Sequence, residues 1–193
     1  MARIVVLNHV SLDGVMQSPA RPDEDTRGGF QRGGWAASDT DEVMMSKIGP
    51  HMGSISDGAL LLGRRTYEDF FDVWHGRTDN PFSAALEAAT KYVVSTTLSE
   101  PLEWQNSRVL RDIDDVKRIK RETEGDLLVM GSGALTRTLL AEDSVDQLII
   151  VIHPVLIGSG TRLFADEGRF AELRLIDSST TPKGVLIVSY ERR

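Results

Sequence analysis

Three short segments carry residue types suited to binding anions, and each follows an apolar run. Gly63-Arg64-Arg65-Thr66 follows Ala59 to Leu62, Ser95-Thr96-Thr97 follows Lys91 to Val94, and Gly131-Ser132-Gly133 follows Leu127 to Met130. After the last of these, Leu135, Leu139 and Leu140 recur from Ala134 at helical spacing, so the segment reads as strand, glycine turn, helix. The first amides of a helix lack internal partners and carry partial positive charge, and glycines let an anion approach the main chain. Each such contact contributes on the order of 0.3–2 kcal/mol, so several converging amides can hold a phosphate. Arg64 and Arg65 offer charge; Ser95 and Thr96 offer hydroxyls. Taken singly, each segment is equally a capped turn between core elements. Three of them at strand carboxyl ends, where ligands of open α/β sheets gather, point to a ligand with several phosphates, such as a dinucleotide. The usual GxGxxG fingerprint does not open the first βα unit.

Other candidates stand alone. His9 and His153 end expected core strands, where each either faces a pocket or is a partly buried, hydrogen-bonded ring. Asp13, in the turn Ser11-Leu12-Asp13-Gly14, is a candidate orienting or proton-relaying group, or simply a turn aspartate. Asp39 and Asp41 open a helix, where capping is the default role. Trp35 follows a long polar segment, Gln17 to Gly34, and is a lid, a stacking surface or a loop anchor; segments of this length are usually functional or disordered. The four histidines show no metal-ligand spacing and there is no cysteine, so no metal site is expected. No nucleophile elbow or Ser-His-Asp pattern is present.

The elements that must position these groups are legible as apolar runs. Strands are expected over Arg3–Val10, Ala59–Leu62, Lys91–Val94, Trp104–Leu110, Leu127–Met130, Val145–Ile152, Arg169–Ile176 and Val185–Tyr190. Helices are expected from the Ser38–Asp41 start signal to Gly49-Pro50, over Glu68–Trp74, Pro81–Ala89 and Asp114–Glu122, and from Ala134 to Leu140. This is an α/β body with a β-rich ending: a mixed, mostly parallel sheet, helices on both faces and an antiparallel C-terminal edge, in one domain over residues 1–193.

Charge narrows the partners. The 193 residues carry a net charge of −7, which argues against nucleic acid and acidic membranes as partners. With 40% hydrophobic and 26% charged residues there is apolar mass for a full core. No signal core follows Met1-Ala2-Arg3 and no run approaches ~18 apolar residues, so a soluble cytoplasmic protein is expected.

In order, Val10-Ser11-Leu12-Asp13-Gly14, Leu62-Gly63-Arg64-Arg65-Thr66-Tyr67, Val94-Ser95-Thr96, Val129-Met130-Gly131-Ser132-Gly133-Ala134-Leu135 and Pro154 to Gly160 resemble the dihydrofolate-reductase-like superfamily. The branch they most resemble is that of the bacterial RibD C-terminal-domain proteins, related to the reductase of riboflavin biosynthesis. The resemblance implies a twisted eight-stranded sheet, bound NADPH, a small-molecule substrate and a homodimer. It implies that Gly63, Arg64, Arg65 and Thr66 hold the pyrophosphate together with Gly131, Ser132, Gly133, Ala134 and Leu135. Ser95 and Thr96, with an arginine, would lie near the adenosine and its 2′-phosphate. Ser11, Leu12 and Val15 would border nicotinamide and substrate, with Trp35 closing over them. Asp13, His9 and His153 are then the candidates for the chemistry, a reduction like that of 5-amino-6-(5-phosphoribosylamino)uracil. Such reductases usually carry a lysine shortly before the Ser-Leu-Asp-Gly turn; here the segment is Leu7-Asn8-His9-Val10. The alternatives are an NADP(H)-binding protein with lost or altered chemistry, and a dihydrofolate reductase.

Overall fold

Runs rich in leucine, isoleucine and valine form the strands, the central ones covered on both faces. In the computed structural model, which describes residues 1–164, 168 and 170–193, they are β1 (Ile4–Ser11), β2 (Ala59–Gly63), β3 (Thr90–Val94), β4 (Ser107–Leu110), β5 (Leu127–Met130), β6 (Gln147–His153), β7 (Leu173–Thr180) and β8 (Leu186–Arg192). They form one eight-stranded sheet ordered β4-β3-β2-β5-β1-β6-β8-β7. The first six in that order are parallel, and β8 and β7 close the far edge antiparallel. The helices are α1 (Glu42–Gly53), α2 (Arg64–Trp74), α3 (Pro81–Ala88), α4 (Ile113–Glu122) and α5 (Gly133–Ala141).

Alternate strand residues feed two cores, as the two-residue period requires. Val5, Leu7, Leu60, Leu62, Ile149 and Val151 pack with Met44 and Ile48 of α1, Tyr67 of α2 and Leu86 of α3. Ile4, Val6, Leu61, Val129, Leu148 and Ile150 pack with Val116 and Ile119 of α4 and Leu135 and Leu139 of α5. Each fully buried side chain of this kind contributes about 1.5–3 kcal/mol. Among the described residues, no helix is long and apolar enough to cross a membrane.

Several boundaries differ from expectation for packing reasons. α1 continues through Gly49-Pro50 to Gly53, because Ile48 and Met52 reach the core while Pro50 forfeits only one main-chain donor near the helix end. α2 begins at Arg64 rather than Glu68, with Gly63 extended as its N-cap, so both arginines enter the first turn. β4 is shorter than expected, and Trp104 is fully buried in the core instead. β7 runs Leu173–Thr180; the expected start at Arg169 lies outside the described residues. Pairing with β8 extends this edge strand through Ser178, Ser179 and Thr180, which have no apolar pattern because nearly every residue of β7 is exposed. Leu173, Leu175 and Ile176 are among them.

The sheet splits where the chemistry-bearing turns emerge. β1 pairs with β5 only from Ile4 to Leu7, whereas its pairing with β6 runs from Val5 to Ser11. β2 meets β5 only at Ala59 and Leu60. Among the described residues, Asn8 to Ser11 therefore pair with β6 alone, and β1 and β5 part beyond Met130. From β1 the chain turns through α1 toward β2, and from β5 it turns through α5 toward β6. The split is thus a topological switch point, the place where open α/β sheets bind ligands.

Candidate active site

Two helix N-termini stand at this split. Among the described residues, α1, α3 and α4 each have a side-chain cap: Asp41 accepts from the Met44 amide, Asn80 from Phe82 and Asp112 from Asp115. α2 and α5, whose N-cap residues are Gly63 and Ser132, have none. The Ser132 hydroxyl instead accepts the Gly63 amide at 3.0 Å, and the Thr66 hydroxyl accepts the Ser132 amide at 3.0 Å. These reciprocal bonds staple the two turns together. Gly131 sits at φ +60°, and a Cβ there would come within 3.1 Å of the Thr66 methyl, so glycine allows the close approach. Met16 packs so closely on Gly133 that a Cβ there would overlap its sulfur, which ties the turn after β1 to the start of α5.

The remaining expected cofactor residues fall around this pair. Arg64 and Arg65 are exposed, and Arg64 reaches Glu68 at 3.2 Å. Ala134 is exposed, whereas the Leu135 side chain is buried in the core, so Leu135 has only its amide to offer. Gly63 pairs with Val94, so Ser95 and Thr96 leave the sheet beside Arg64. The Ser95 hydroxyl accepts from the Thr97 and Leu98 amides at 3.2 and 3.0 Å. Arg111, which the sequence reading did not single out, braces this turn by donating to the Ser95 and Leu98 carbonyls at 3.1 and 2.7 Å. Thr96 remains exposed.

Asp13 is fully engaged as a clamp. One carboxylate oxygen accepts from the Ile157 amide at 3.0 Å and the Ser11 hydroxyl at 2.6 Å; the other accepts from the Gly158 amide at 2.8 Å. The Ile157 amide, then the Ser11 hydroxyl and the Gly158 amide, hold the carboxyl well below the usual carboxylate range. The group is ionised at neutral pH and suits orientation rather than proton donation. Ser11 is buried and also accepts the Val15 amide at 2.9 Å. Val15 is buried with Phe30 and Ile157, and Trp35 packs against them, while Leu12 is exposed at the rim. The Gln17–Gly34 segment is thus anchored through Phe30 against Val15 and Ile157, and Arg27 adds an ion pair to Asp69 of α2 at 2.9 Å.

The two histidines meet. His9 Nδ1 lies 2.9 Å from His153 Nε2, and His153 Nδ1 lies 2.8 Å from a carboxylate oxygen of Asp39. His153 is completely buried, with Trp35 edge-on at 5.4 Å, while His9 is partly exposed. Burial first, and His153 second, push His9 down to about 4. Asp41 caps α1 as expected, but Asp39 does not cap it. The residue lies in a short 3-10 turn, and Lys183 holds that turn by donating to the carbonyls on either side, Ser38 at 2.5 Å and Thr40 at 3.0 Å. The one available sequence signal was redundancy: two aspartates precede a helix start that uses one.

Comparison with known proteins identifies the family and the fold. The family model of the RibD C-terminal domain matches residues 2–187. Two Bacillus subtilis (strain 168) proteins are similar. The uncharacterized protein YyaP is 26% identical over 142 residues, 68% of this chain and 72% of its own length. The uncharacterized protein YwjB is 28% identical over 120 residues, 60% of this chain and 63% of its own. Among solved structures, a putative riboflavin biosynthesis protein from Shewanella sp. PV-4 superposes with a TM-score of 0.73 at 22% identity, covering 100% of this chain and 99% of that one. Dihydrofolate reductase from Enterococcus faecalis, solved in complex with NADP(H) and RAB-propyl, gives 0.64 at 14% identity, covering 99% and 96%. A pyrimidine reductase-like protein from Corynebacterium diphtheriae gives 0.63 at 12%, covering 100% and 92%. The fold is dihydrofolate-reductase-like.

Proposed function

The chain belongs to the RibD C-terminal domain family, and from that premise we propose that it is an NADPH-dependent reductase acting on a small nitrogen heterocycle. The observation that carries this reading is the pair of stapled helix N-termini without side-chain caps at the split between β2, β5 and β1. Their donor set is the chemistry a pyrophosphate calls for: converging main-chain amides, two helix dipoles and nearby arginines. Gly63 to Thr66 and Gly131 to Leu135 would hold the pyrophosphate, and Ser95 and Thr96 would border the adenosine end. When bound, the cofactor supplies a hydride from its nicotinamide. The protein's part is to place the substrate over the open end of β1, exclude water with the Gln17–Gly34 segment and Trp35, and manage the proton. Asp13 is the orienting clamp of that floor. The substrate class is a pyrimidine related to 5-amino-6-(5-phosphoribosylamino)uracil, in keeping with the names of the riboflavin-biosynthesis and pyrimidine-reductase-like neighbours.

The test is a titration with NADPH and NADH followed by tryptophan fluorescence. The expected outcome is NADPH binding at micromolar concentration or tighter, on the order of 8 kcal/mol, with NADH clearly weaker. Failure of both to bind would remove the reductase reading. A second reading, an NADP(H)-binding protein with altered chemistry, is favoured by Asn8 and His9 standing where such reductases usually carry a lysine; binding without oxidation by any pyrimidine or pterin would select it.

A further inference from the structure

Resting on the reductase reading, we propose that Asp39, His153 and His9 form a proton relay that delivers a proton to the substrate from His9 Nε2. His9 is the catalytic acid, and His153 and Asp39 position and recharge it.

The hydrogen bonds constrain the tautomers. A carboxylate only accepts, so His153 must carry a proton on Nδ1, facing Asp39 at 2.8 Å. When His153 is neutral its Nε2 is a bare acceptor, so His9 donates from Nδ1 across 2.9 Å and its own Nε2 is bare. Adding one proton reverses the chain. His153 becomes an imidazolium beside the Asp39 carboxylate and donates from Nε2, so His9 accepts at Nδ1 and carries its proton on Nε2. One proton therefore converts the outer end of the relay from acceptor to donor. Among the described residues, His9 Nε2 makes no hydrogen bond, and His9 is the partly exposed residue of the pair while His153 is fully buried.

Before the transfer the relay places the positive charge on His153, beside Asp39, rather than on His9. Burial and its neighbour make a charged His9 unfavourable, whereas His153 has a carboxylate at hydrogen-bond distance. The surrounding ionisable groups fit this arrangement. Asp39 faces His153 from the turn before α1, and Lys183 steadies that turn through its carbonyls rather than its carboxylate. Asp13 at the end of β1 is turned onto Ile157 and Gly158, and Asp41 caps α1. Trp35 directs its N–H to the Gln17 carbonyl at 2.8 Å and closes the ring face of His153 without competing for its nitrogens.

In the reaction, the carbon of a C=N or C=O bond receives hydride from the reduced nicotinamide, and the nitrogen or oxygen takes the Nε2 proton of His9. His9 Nδ1 then takes the Nε2 proton of His153, which ends neutral and still bonded to Asp39. The dinucleotide is oxidised, the double bond is reduced by two electrons, and solvent later restores the one proton lost.

The experiment is 15N NMR of histidine-labelled protein without ligand, across the acid range, for the wild type, Asp39→Asn and His9→Gln. The expected result is one protonation event that moves both rings together, with His9 passing from the Nδ1–H to the Nε2–H form. Asp39→Asn, which keeps an acceptor but removes the charge, lowers the midpoint of that event by at least about one pH unit. His9→Gln lowers kcat about 100-fold or more while NADPH affinity stays put. Rings that titrate independently, or a midpoint unmoved in Asp39→Asn, would overturn the relay. The NMR outcome does not depend on NADPH binding, so failure of the reductase reading and failure of the relay are told apart.

Discussion

The two halves of the candidate site are built from different parts of the chain. Around β2 and β5 the groups offered to a ligand are main-chain amides, set by glycine turns that hold each other through Ser132 and Thr66. Around β1 and β6 they are side chains, His9, His153 and Asp39, with His153 more than a hundred residues along the chain from the other two. The amide half depends on backbone shape and is indifferent to most side chains; the histidine half depends on individual atoms and is sensitive to pH.

The largest expected effect tests the amide half. In Gly131→Val a β-branched residue must adopt φ near +60°, close to the Thr66 methyl. We expect about 2 kcal/mol of lost stability and NADPH binding weaker by about 100-fold, or 2.7 kcal/mol, in denaturant melts and fluorescence titration. Wild-type affinity in that variant would mean the ligand does not use this backbone.

A smaller effect concerns the histidine half. The folded-state pKa of His9 is lowered from 6.5 to about 4, so between those values the unfolded chain binds more protons than the folded one. The stability contributed by neutral His9 is therefore whole above pH 6.5 and is lost as pH falls through about 4. The expected loss is on the order of 1–3 kcal/mol, measured from urea midpoints across the window. His9→Gln should flatten this slope; an unchanged slope would show that other groups set it.

The smallest effect sharpens the contrast between capped and open helix ends. Asp112→Ala removes the cap of α4, which follows the edge strand β4. It should cost about 1 kcal/mol of stability and leave NADPH affinity unchanged. A loss of affinity there would argue that binding responds to general loosening rather than to the open amides of α2 and α5.

The amino-acid sequence by itself determined the alternation of strands and helices, the three strand-end turns and the β-rich close. Apolar periodicity and turn chemistry act within a few residues, so these features are written locally. The Gly63 and Gly131 turns could be read as ligand sites for the same reason. Local signals failed where packing overrode them: Pro50 lies inside α1, and β7 takes its extent from β8. The meeting of His9, His153 and Asp39 was decided by tertiary structure alone. Strand order puts β1 beside β6, and their register sets Ser11 opposite His153 and His9 opposite Val151, so the two rings become neighbours on one face of the sheet. The turn before α1 then swings Asp39 beneath His153. No spacing along the chain encodes a contact between residues 114 or 144 positions apart, because it depends on which strands pair, in what register, and which face the intervening helix covers.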